Sequence, residues 1–134
     1  MRLGARLSAA MEVIAAIETQ HRPASVALAD WGRAHRFAGS GDRAAIGTLV
    51  FDVLRRRRSL AAQMRSETPR ALVLAAAVRA FGLPAHAVAA ATVEADPHAP
   101  SPLSDEELES LLAGVPSDAA ADVRADFPEW LKGS

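Results

Sequence analysis

Apolar residues in this chain recur at three-and-four spacing, and each periodic block is bounded by Pro, Gly, Ser or Asp. That period puts one face of a helix into a core, so an all-α bundle of about six to eight helices is expected. Leu3, Leu7, Ala10, Met11, Ile14 and Ile17 give the first face and predict a helix over 3–20. A second helix is expected from Pro23 to Arg36, carrying Val26, Leu28, Trp31 and Ala34. Phe37 to Gly41 then reads as a tight connection. Residues 40–58, SGDRAAIGTLVFDVLRRRR, read as one central helix on which the rest is organised. Ser40 or Asp42 can cap its start, and Ile46, Leu49, Val50, Val53 and Leu54 form its apolar stripe. Arg55, Arg56, Arg57 and Arg58 close it, where the helix macrodipole favours cations.

The next residues, 59–66, continue that helix or bend away from it, with Leu60 and Met64 apolar. Thr68-Pro69 is an N-cap followed by proline at the first helical position. Leu72, Val73, Ala76 and Val78 to Phe81 form a compact buried helix, which Gly82 closes. Pro84 opens a short helix toward Val93, with Val88 and Val93 inward. Residues 95–102, ADPHAPSP, end regular structure; Ser104 and Glu107 have capping-box spacing ahead of Leu108, Leu111 and Leu112. A weak final helix and the segment FPEWL complete the chain. A single domain over 1–134 is expected, with a helical core at 1–94 and C-terminal helices leading into a linker at 95–134.

Composition narrows the chemistry. Half of the residues are apolar but only 4% are aromatic and none is Tyr, so the core is built from Ala, Leu and Val. Without cysteine there is neither a disulfide framework nor a thiolate metal site, which fits a reducing, cytoplasmic setting. No apolar run approaches the roughly 18 residues of a membrane span. His21, His35, His86 and His98 are scattered, without the paired spacing of a zinc site. There is no phosphate-cradling glycine loop, and Asp105, Glu106, Glu107 and Glu109 suit a helix first turn better than an acid–base pair. The chain by itself reads as non-catalytic and without a cofactor.

Charge supplies the strongest functional hint. Residues 1–70 carry twelve arginines against six acids, whereas residues 71–134 carry three cations against ten acids. The basic half is expected to face an anionic partner, although attraction between body and tail explains the same split. Arg33, Arg36, Arg43, Arg55, Arg56, Arg57 and Arg58 are the candidate RNA contacts, because guanidinium grips phosphate bidentately. Arg65 and Arg70 fall in the same stretch. Ion pairs with Asp42, Asp52 or Glu18 are the competing use of Arg43 and of one cluster arginine. His35 reads either as a phosphate contact or as a solvated side chain, and Trp31 as a core anchor ahead of a base-stacking platform.

These residues carry a resemblance. HRFAGSGDRAAIGTLVFDVLRRRRSL resembles the Asp-Arg and Val-Leu-Arg helix of NusB-like domains. With MRLGARLSAAMEVIAAIE, TPRALVLAA and PEWL, the chain from Leu3 to Leu131 resembles the N-terminal domain of RsmB/NOP-type (Sun/Fmu) RNA cytosine-C5 methyltransferases. The resemblance implies a NusB-like helical domain that assists binding of ribosomal RNA. It also implies a following catalytic domain that binds S-adenosylmethionine, absent from this sequence, as are that domain's catalytic cysteines. By motif match, Asp42, Arg43 and Arg55 fall on the family's Asp-Arg and Leu-Arg positions. Asp52 follows Phe51 where NusB-like helices often have Gly, which sets a carboxylate among the arginines. Three readings stay open: the RNA-binding part of a ribosomal RNA methyltransferase, a free-standing NusB-like module in transcription antitermination that joins RNA to a protein partner such as a ribosomal protein, and a domain packing on its own catalytic domain.

Overall fold

A computed structural model of the chain describes residues 1–93 and 95–114, and every regular element among them is helical. The seven helices are α1 (Leu3–Gln20), α2 (Ala24–Ala34), α3 (Ser40–Arg55), α4 (Arg57–Met64), α5 (Pro69–Phe81), α6 (Ala85–Ala91) and α7 (Asp105–Ala113). The all-α expectation therefore holds. The expected final helix and the FPEWL segment lie outside the described residues.

Local chemistry fixes α5 most firmly. The Thr68 hydroxyl accepts from the Ala71 N–H at 3.2 Å, Pro69 occupies the first position, and Gly82 takes the left-handed conformation at φ 62°. Between these stops, every residue from Ala71 to Ala77 is buried. A helix buried on all sides is a core element, and the many alanines let neighbours come close. α1, α3, α4, α6 and α7 all pack on it.

α1 and α3 run parallel across one side of α5. Arg6 near the start of α1 bonds Asp42 near the start of α3 at 2.8 Å. Glu18, close to the end of α1, meets Arg57 just past the end of α3 at 2.6 Å. Between these pairs, Leu7, Ala10, Val13 and Ile14 pack with Ile46, Leu49, Val50 and Val53. Gly4 lets α1 approach the end of α6, since a Cβ there would stand 2.6 Å from the Ala91 carbonyl oxygen and 2.8 Å from the Ala99 Cβ.

Several expectations are corrected. The central helix does not run to Arg58; it stops at Arg55, and Arg56 (φ −116°, ψ 25°) turns the chain into α4. The turn lays Ser59, Leu60, Gln63 and Met64 into the interior, which a straight continuation would carry past α5. α2 ends at Ala34, two residues early, and Pro23 precedes it as the N-cap. Neither Ser40 nor Asp42 is the N-cap of α3. Gly39 holds that place, and Asp42, inside the first turn, accepts its N–H at 3.0 Å. Leu54, Val26 and Leu112 are exposed, and Val93 lies beyond the end of α6 at 69% exposure.

Two glycine substitutions should move stability in opposite directions. Gly4→Ala drives a methyl into backbone that cannot yield and should cost about 1–3 kcal/mol. Gly47→Ala, with no atom within 4 Å of the new Cβ, should gain about 0.5–1 kcal/mol in helix α3. Urea unfolding of the two variants beside the parent measures both.

Candidate nucleic-acid interface

The seven candidate arginines do not form one patch. Helix α3 separates them into two surfaces, because Arg43 and Arg55 are twelve residues apart, about 18 Å along the axis. Arg33, Arg36 and Arg43 lie at one end, on the last turn of α2, the connection after it and the first turn of α3. Arg55 to Arg58 lie at the other, across the α3–α4 junction.

At the first surface, Arg33 pairs with Asp30, which also takes Arg22, so one carboxylate serves two guanidiniums. Arg36 and Arg43 are exposed and have no ion-pair or hydrogen-bond partner among the described residues. The competing structural use of Arg43 is not realised through Asp42. That carboxylate, 9% exposed, is held instead by Arg6, by the Gly39 N–H and by the terminal amine of Met1. The Arg43 stem rests on α2, its Cδ 3.4 Å from where a Cβ of Gly32 would lie. Its charge is thus presented to solvent from a supported stem.

The second surface is more heavily compensated. Asp52, 5% exposed, holds Arg56 at 3.2 Å and Arg55 at 3.4 Å. Arg57 and Glu18 form an ion pair without hydrogen-bond alignment. Three of the four clustered arginines are therefore engaged by carboxylates, where the sequence suggested one. Arg58 is exposed and has no such partner among the described residues; with Ala61, Ala62 and Arg65 it lines one shallow face of α4. Arg65 shares that freedom. Arg70 does not: its guanidinium grips both oxygens of Glu107 (2.8 and 3.0 Å) and the Ser101 hydroxyl and carbonyl, tying α7 to α5.

Sequence reasoning did not find the aromatic group beside the first surface. Trp31 and His35 stack with centroids 4.2 Å apart, Phe37 meets His35 edge-on at 5.8 Å, and His98 lies near-parallel to Phe37 at 6.4 Å. Trp31 packs against the core and donates its indole N–H to Glu12 at 3.0 Å, the anchoring role expected of it. His35 is joined through Nδ1 to the Trp31 carbonyl at 2.8 Å. Its i, i+4 spacing from Trp31 was a local signal; the approach of His98 to Phe37 had none.

Among the described residues, no group of His, Asp and Glu is placed to hold a metal ion, and no helix is long and apolar enough to cross a membrane. The perturbed groups are structural carboxylates. Arg6 chiefly, with the Gly39 N–H, holds the Asp42 carboxyl below its ordinary value of 3.8. Arg70 does the same for Glu107 below 4.5. A carboxyl with a lowered folded pKa stabilises fully above its unfolded value and loses that contribution as pH falls through the folded one. Stability should therefore be flat down to about pH 5 on account of these two groups and fall below it. Glu107→Gln should cost about 1 kcal/mol at pH 7, held to that by solvent screening, with the difference shrinking as pH falls below the ordinary carboxyl range. Thermal unfolding from pH 7 to 3 is the check.

No family model, no curated protein and no solved structure matches this chain.

Proposed function

We propose that this domain binds RNA through its phosphate backbone, using the two arginine surfaces at the ends of α3, and performs no chemistry itself. The observation that carries this reading is the state of Arg36, Arg43 and Arg58: exposed and without a partner among the described residues. Unpaired guanidiniums, on helices for Arg43 and Arg58 and on the α2–α3 connection for Arg36, leave their bidentate donors open to phosphate. The 18 Å between the surfaces corresponds to about five nucleotides at 3.4 Å each, so one strand can reach both. Asp52 and Glu18 temper the second surface, and the first is the stronger contact. The resemblance to the N-terminal domain of RsmB/NOP-type methyltransferases supports ribosomal RNA as the target. It also supports a role in positioning that RNA for a catalytic domain that uses S-adenosylmethionine.

One further observation favours a second reading, a protein partner. Phe51 is 53% exposed and Leu54 38% on the outer side of α3, where they line an open groove with Gly47, Arg55 and Arg79. A catalytic domain in the same protein, or a ribosomal protein, would cover them.

Titration with a ribosomal RNA fragment at several salt concentrations tests the first reading. The parent should bind with a steep salt dependence. Changing Arg36, Arg43 and Arg58 together to Ala should reduce the slope of log Kd against log salt by about 2, at roughly 0.7 per single-strand phosphate contact. The fold should be little affected, since these side chains have no ion-pair or hydrogen-bond partner among the described residues. Absence of binding at low salt would remove the RNA reading and leave the partner-docking one.

A further inference from the structure

The aromatic group beside the first arginine surface has no structural task that accounts for its outer members. Trp31 is anchored and His35 is covered by it, but Phe37 is 67% exposed and His98 is exposed as well. Both are carried on pinned backbone. The Ala38 N–H bonds the His35 carbonyl at 3.0 Å, turning the chain so that Phe37 projects from it. Across the cleft, Asp96 accepts the His98 N–H at 2.9 Å and its carbonyl accepts the Ala99 N–H at 3.1 Å. Ala99 in turn sits against Gly4 of α1. Two turns from distant parts of the chain therefore face their rings toward each other.

The spacing of those rings is informative. Stacked aromatic layers lie about 3.4 Å apart, so a base between two rings needs about 6.8 Å. The Phe37 and His98 centroids are 6.4 Å apart, a distance that includes lateral offset, their planes lie within 28° of parallel, and both rings line one cleft with Trp31 and His35. A small rotation of two exposed side chains would admit one base. Cations stand close by: Arg36 immediately precedes Phe37, and Arg43 crosses Gly32, the neighbour of Trp31. The two carboxylates lining the cleft are already engaged, Glu12 by the Trp31 indole and Asp96 by the His98 backbone.

We infer that Phe37 and His98 form a clamp for one unpaired base of single-stranded RNA, with the adjoining phosphates on Arg36 and Arg43. This rests on the RNA reading above and sharpens it: a clamp of this kind selects loops and unpaired strands over duplex, whose bases are not free to enter. Base stacking of this kind is tolerant of sequence, because every base offers a π face.

The test uses a short RNA carrying the fluorescent adenine analogue 2-aminopurine, as a single strand and as a duplex, with the full chain and its Phe37 variants. The parent should bind the single strand more tightly and quench the probe. Phe37→Ala should weaken single-strand binding at least about fivefold, abolish the quenching and leave the salt slope and the duplex affinity unchanged. Phe37→Trp, which keeps an aromatic face, should restore both signals, and Phe37→Leu should not. Equal melting temperatures for all variants will show that an exposed side chain was changed without loss of fold. Salt-dependent binding with no effect of Phe37→Ala, or full activity of Phe37→Leu, overturns the clamp while the RNA reading stands. No salt-dependent binding by the parent overturns both.

Discussion

The structure depends on one constraint, the complete burial of α5. Seven successive residues from Ala71 to Ala77 are withdrawn from water, which requires neighbours on every side. Small side chains make that possible, because alanine lets helix axes approach without leaving holes. Leu72, Val73 and Leu74 then supply the bulk that fills the spaces between α1, α3 and α4. The break at Arg56 follows from the same demand, since α4 must fold back to bring Leu60 and Met64 onto α5.

Charge is organised around that apolar centre. The parallel pair α1 and α3 is tied by Arg6–Asp42 at one end and Glu18–Arg57 at the other. Asp42 and Asp52 are both nearly buried, and a carboxylate in that position must be matched by cations or donors. The fold therefore takes some arginines for its own stability and leaves others to solvent. Arg6, Arg56, Arg57 and Arg70 belong to the first group, Arg36, Arg43, Arg58 and Arg65 to the second. A cluster that looks uniform in sequence is divided into paired and solvent-facing side chains once folded.

Much of the architecture was legible from local chemistry. The Thr68-Pro69 start and Gly82 stop of α5 and the Ser104–Glu107 capping box follow from the chemistry of residues within a turn of each helix end, whereas α1 keeps its expected limits with no side-chain cap. The misread boundaries share a cause. Arg56 has good helix propensity, and nothing local marks it as a break. Leu54 and Val93 are apolar at plausible spacing, but exposure is settled by whether another helix arrives to cover them. Propensity sees the residue and its turn, whereas packing sees the whole chain.

By itself, then, the sequence determined the all-helical class, most of the capping and the concentration of arginine around α3, because these arise from interactions within one or two helical turns. Pairing of Arg33 with Asp30 and of Arg55 and Arg56 with Asp52 is local as well; the tertiary structure alone decided the long-range pairs. Arg6 and Asp42 lie on different helices, as do Arg57 and Glu18 and also Arg70 and Glu107, and no period along the chain relates them. It alone also set His98 opposite Phe37. The physical reason is common to all of these: ion pairing and ring contact act over a few ångströms in space, and only the packed core brings residues so far apart in the chain within that range.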